Sequence, residues 1–150
     1  MDINKTIKSL QEKLYTVKLF DTAKEAADYL DSKIDGKVVG FGDSRTMIDM
    51  ELYKRLSLHN EVHDPYQEKD NDEFLEIAKK TLTTEVFLTS VNAMAETGEM
   101  VNIDGTGNRV ASMLYGHKKV YFVVGKNKLA EDYDKALWRA RNIAAPKNAF

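Results

Sequence analysis

Short apolar runs rich in β-branched and aromatic residues alternate with helical-period segments along this chain, and that alternation constrains the fold more than any other feature. Three runs read as buried strands: Lys37-Val-Val-Gly-Phe41, Glu85-Val-Phe-Leu-Thr89 and Lys119-Val-Tyr-Phe-Val-Val124. Such side chains suit an enclosed, pleated surface. Between them, apolar residues recur every three or four positions, as one face of a helix requires. Ile3, Ile7, Leu10 and Leu14 open the chain this way, and Tyr15–Phe20 then alternates like a strand. Thr22 and Glu25 form a capping box before the stripe Ala23, Ala26, Ala27, Leu30 and Ile34, with Gly36 suited to the stop. Ile48, Leu52 and Leu56 share one side of a following helix, and Phe74, Leu75, Ala78 and Leu82 mark another. Residues 58–71 are polar and read as a connection. Tyr133, Ala136, Leu137, Ala140 and Ala144 line a last helix expected to stop near Pro146. Apolar strands joined through helices imply an α/β fold: a mostly parallel sheet flanked by helices.

The 150 residues carry no repeat, and a single domain over 1–150 is expected. Lys147–Phe150 reads as the approach to another element, so that domain is expected to be shortened at its C-terminus. The formal charge of −2 supplies no basic field for nucleic acid or an anionic membrane. No apolar run approaches the roughly 20 residues of a membrane span. The opening Met-Asp-Ile-Asn-Lys5 lacks a signal-peptide pattern, so the expected location is the cytoplasm. With no cysteine, the chain has no disulfide, thiolate nucleophile or cysteine-bound metal centre, and no cofactor within it is expected. His59 and His63 stand at helical spacing, but the intervening glutamate is misplaced for a His-Glu-x-x-His zinc helix, and Asp64-Pro65 interrupts it.

Chemistry concentrates where strands run into glycine and hydroxyl residues, because strand ends of a parallel sheet share one ligand-binding edge. Gly40 and Gly42 permit close backbone approach, and Ser44 and Thr46 offer hydroxyls at a helix start; a tight turn capped by Ser44 is the plainer reading. Asn92 follows the next strand, with Glu96 close behind as a general base or an acyl-transfer nucleophile. Glu96-Thr-Gly-Glu99 equally reads as a hairpin turn with solvated acids. The third cluster is Asp104, Gly105, Thr106, Gly107, Asn108 and Arg109, which opens a helix. An arginine in a first helical turn opposes the macrodipole, and an anionic ligand or a pairing with Asp104 accounts for it.

The run Val86–Ala93, the segment Asp104–Arg109, Lys118-Lys-Val, Asn142-Ile-Ala-Ala-Pro146 and the turn Val39–Ser44 together resemble the LUD (lactate utilisation) domain family, that of the LutC/YkgG proteins. The resemblance implies a Rossmann-like fold similar to ribose-5-phosphate isomerase, glucosamine-6-phosphate deaminase and CoA transferases. It implies service in the oxidation of lactate to pyruvate, with iron–sulfur clusters carried by partner oxidoreductase subunits and a small anionic metabolite bound at the strand-end loops. Self-association is left open. Asp43-Ser-Arg-Thr46 stands where the family more often has a glycine-serine turn, and Gly116-His-Lys where it has Gly-Pro-Lys; the cysteine-rich tail of many relatives is missing. Two alternatives stand beside this one. One is an independent enzyme acting on sugar phosphates or CoA esters through Glu96; the other is a non-catalytic, degenerate scaffold.

Overall fold

Two of the runs read as buried strands lie side by side. In the computed structural model, which describes residues 1–148, β1 (Val38–Phe41) pairs in parallel with β3 (Val86–Thr89). β2 (Glu61–His63) flanks β1 and β6 (Lys119–Phe122) flanks β3, so the order is β2-β1-β3-β6 and every pairing is parallel. This sheet is the centre of one compact unit, residues 20–90 with 107–123.

The two faces of the sheet are filled differently. Val39, Phe41, Val86 and Leu88 alternate onto one face. There they meet Ala27, Leu30 and Ile34 from α2 (Ala23–Lys33) and its end, Met47 of α3 (Arg45–Asp49), and Leu52 and Leu56 of α4 (Leu52–Leu56). Each such leucine or phenylalanine contributes at most about 1.5–3 kcal/mol through burial. The capping box starts α2 as its sequence requires: Thr22 accepts from the Glu25 N–H at 3.2 Å, and Glu25 accepts from the Thr22 N–H at 3.3 Å. α5 (Asn71–Thr81) packs on β1 and β2, and α6 (Asn108–Leu114) on β3. At Gly40 a Cβ would lie 2.7 Å from Thr84 Oγ1 and 2.9 Å from Thr81 Cβ, so the close approach Gly40 permits is that of the α5 terminus.

The second compact unit comprises residues 1–19, 91–106 and 124 onward. β4 (Ala93–Ala95) and β5 (Met100–Val101) form an antiparallel hairpin, and β7 (Leu129–Ala130) runs parallel to β4. α7 (Tyr133–Arg139) packs on β4 and β7 through a small-residue core of Ala93, Ala95, Ala130, Ala136 and Ala140. α1 (Ile3–Glu12) is capped by Asp2, which accepts from the Asn4 and Lys5 N–H groups.

Four sequence expectations are corrected. Tyr15–Phe20 is not a strand: it has the alternation but no ladder partner among the described residues, and Tyr15 and Leu19 are exposed. The helix through Ile48, Leu52 and Leu56 is two, α3 and α4, broken where Glu51 takes φ +52°. Residues 58–71 are not wholly a connection, since β2 lies within them. The last helix does not stop at Pro146; α7 widens into a π-helical stretch at 140–144 and continues as α8 (Ala145–Asn148). A proline ring collides with the carbonyl four residues back, and a π turn just ahead of it opens the spacing. Of the Lys147–Phe150 tail, read as the approach to another element, Ala149 and Phe150 lie outside the described residues.

Candidate functional site

The twelve residues singled out from sequence divide between the two units. Asn92, Glu96, Asp104, Gly105 and Thr106 belong to the hairpin unit. Asn92 is a structural tie: its Oδ1 accepts from the Ile103 N–H at 2.7 Å, and its carbonyl accepts from the Arg139 guanidinium. Glu96 is 7% exposed and directly follows β4. Its Oε1 accepts from the Asp2 N–H at 2.7 Å, and its Oε2 pairs with Lys5 Nζ at 3.2 Å. The Asp2 hydrogen bond first, then Lys5, hold this carboxyl below the usual glutamate range. Glu99 stays in the hairpin turn, accepting from the Thr97 hydroxyl. Asp104 is half-buried, Gly105 and Thr106 are exposed, and a Cβ at Gly105 would meet open space.

Gly40, Gly42, Ser44, Thr46, Gly107, Asn108 and Arg109 belong to the sheet unit, and all but Gly40 gather at the carboxyl edge of its strands or at the start of α6. Gly42 extends the β1 pairing by one bond, its N–H donating to the Leu88 carbonyl at 2.9 Å. A Cβ on Gly42 would fall 2.7 Å from Thr89 Oγ1 and 2.9 Å from both Arg109 Cγ and Phe87 Cζ. The methylenes of Arg109 therefore lie across the Gly42 backbone, and the residue is only 7% exposed. Burying a guanidinium is costly, so a fold keeps one inside only where polar groups answer it. Asn108 Nδ2 donates to Asp43 Oδ1 at 3.3 Å, and the Thr46 hydroxyl reaches Ser90 Oγ at 3.5 Å. Gly107 holds φ +80° immediately before α6, a backbone state that favours glycine. Ser44 is 8% exposed and precedes α3, yet its hydroxyl makes no capping bond; its carbonyl accepts from the Met47 and Ile48 N–H groups.

Sequence reasoning missed Asp64. It follows β2 directly and is 6% exposed. Its oxygens accept from the Tyr66 N–H at 3.1 Å and from Gln67 Nε2 at 3.0 Å. Burial pushes its carboxyl above the usual aspartate range; the two hydrogen bonds oppose that, and the charge of Asp43 adds to it. The one sequence signal was Asp-Pro after a short Glu-Val-His run, which marks a capped turn rather than a buried acid.

The parallel sheet, its polar carboxyl edge and the glycine-borne arginine are the setting of the family comparison. The sequence matches the LUD domain model over residues 3–150. The chain belongs to the LUD domain family. Among curated proteins no individual relative matches it.

In this LUD domain, two of the three histidines lie against carboxylates. The ring nitrogens of His59 lie 2.7 Å from Asp31 Oδ1 and 2.9 Å from Asp35 Oδ1, and His63 Nε2 lies 2.8 Å from Glu61 Oε1. Among the described residues, no three or more His, Asp or Glu side chains are placed to hold a metal ion. Among the same residues, no helix is long and apolar enough to cross a membrane.

Proposed function

We propose that this LUD domain serves lactate utilisation by binding a small carboxylate-bearing metabolite at the carboxyl edge of its parallel sheet. The observation that carries the reading is Arg109, a buried arginine whose methylenes lie over Gly42, in the unit that also holds Ser44, a buried residue whose hydroxyl makes no capping bond. A planar guanidinium and a hydroxyl are complementary to the carboxylate and hydroxyl of a 2-hydroxy acid. Oxidation of such an acid needs an electron acceptor, and a chain without cysteine leaves cysteine-bound iron–sulfur clusters to partner subunits.

The test is a melting-temperature screen with L-lactate and pyruvate, followed by calorimetry. A ligand bound only by the folded state at a hundred times its Kd stabilises by about 2.7 kcal/mol. Loss of that shift in Ser44→Ala, with the unliganded melting temperature kept, supports the site. No shift with either acid, together with normal growth on lactate when the gene is deleted, overturns it. The rival reading, turnover of sugar phosphates or CoA esters by Glu96, first has to free that carboxylate from Asp2 and Lys5.

A further inference from the structure

Asp64 is the one buried carboxyl of this edge whose hydrogen bonds come from neutral groups, Tyr66 N–H and Gln67 Nε2, among the described residues. The parallel register pairs Gly40 with His63, so Asp64 follows level with Phe41, two residues from Asp43 along the neighbouring strand end. We propose that Asp64 is the proton-linked group of the anion site, and that a small carboxylate bound at this edge brings one proton from solvent onto Asp64. The inference rests on the anion-binding reading above.

A carboxylate arriving beside Asp43 and Asp64 adds negative charge where burial already disfavours it. Protonating Asp64 removes one negative charge from the edge without moving a side chain. The charged groups on the surrounding elements do not do this work. His63 is paired with Glu61 at 2.8 Å and Lys79 with Glu76 at 3.0 Å, while Glu73 faces Glu68. Asp72 and Lys80 also lie on α5, and the charge of Asp43 adds to the effect of burial on the Asp64 carboxyl. Ser44, the residue next to Asp43, is 8% exposed, and its hydroxyl makes no capping bond to α3.

Two measurements test the proposal. First, the side-chain carboxyl carbons are followed by NMR against pH without ligand. Asp64 titrates above the ordinary aspartate range in the wild type and moves downward in Asp43→Asn; an Asp64 that titrates normally and ignores Asp43→Asn overturns the pairing. Second, L-lactate binding is measured calorimetrically in buffers of different ionisation enthalpy. The wild type takes up close to one proton per lactate, and affinity rises up to about tenfold per pH unit of acidification across the transition. Asp64→Asn, which keeps an acceptor for the Tyr66 N–H, abolishes the uptake and flattens the slope. Lactate binding without proton uptake, or a slope unchanged in Asp64→Asn, overturns this inference alone. No lactate heat at any pH overturns the anion-site reading and the linkage with it.

Discussion

Replacing Gly42 with alanine adds one carbon at the most crowded point of the candidate site. That carbon would sit 2.7 Å from Thr89 Oγ1 and 2.9 Å from both Phe87 Cζ and Arg109 Cγ, all inside the separation that packed carbons tolerate. Phe87 and Thr89 are fully buried on the central strand β3 and have no space to retreat into. Arg109 is the only flexible neighbour of the three, so the added carbon displaces its side chain. Overpacking of this kind costs about 1–3 kcal/mol, and three simultaneous contacts put Gly42→Ala near 3 kcal/mol. For a chain of this size that lowers the melting temperature by about 6–12 °C. Thermal unfolding followed by circular dichroism is the assay, with Gly105→Ala as the control. A Cβ at Gly105 meets nothing within 4 Å, so that variant stays within about 0.5 kcal/mol of the wild type. If Gly42→Ala melts within a degree of the wild type, the close packing of Arg109 on the strand edge is refuted.

Three further outcomes are expected. Leu14 is 93% exposed and ends α1 at φ +69°, with the Tyr15 N–H donating to the Leu10 carbonyl, so Leu14→Gly removes left-handed strain and little packing. The strain is about 1–2 kcal/mol and the added unfolded-state entropy offsets about half of it, leaving a stabilisation of about 0.5–1 kcal/mol, measurable by urea titration; a destabilised variant would refute this. The His59 imidazole is held above its ordinary value of 6.5 by Asp31 first and then Asp35. Its contribution is therefore complete below pH 6.5 and fades as pH rises through the elevated folded value, so His59→Ala should flatten the decline of melting temperature above neutrality. An unchanged slope would assign the decline elsewhere. Glu96→Ala removes the acceptor of the Asp2 N–H and the Lys5 pairing, and hydrogen exchange of the α1 amides should accelerate while the β1–β3 amides keep their protection. Equal protection of α1 in the two proteins would deny Glu96 that anchoring role.

The site was partly legible, and the reason differs residue by residue. Gly40 and Gly42 look alike on paper as strand-end glycines. Their neighbours, Thr81 and Thr84 for one and Arg109 for the other, come from segments far away along the chain. Ser44 looked like a helix cap, and its hydroxyl makes no capping bond. Asn92 reads as a ligand group, and its Oδ1 accepts from the Ile103 N–H. Asp64 gave almost no sign, because a carboxyl's burial depends on the strand before it and the helix packed over it, not on its own neighbours in sequence.

Composition and pattern alone determined the architecture. A run such as Val86-Phe-Leu-Thr89, apolar at nearly every position, is stable only with both faces covered, and the capping box at Thr22 and Glu25 is written in two residues three places apart. Tertiary structure alone decided the rest. β2 carries one apolar residue, Val62, and is a strand because β1 offers it a ladder, whereas Tyr15–Phe20 alternates correctly and finds none. The ionisation of Asp64 and Glu96 was decided in the same way. Both are buried acids, but one receives neutral donors beside another carboxylate and the other receives a backbone N–H and a lysine. Local pattern fixes what a segment can satisfy by itself; pairing partners, burial and nearby charge are supplied only by the folded neighbours.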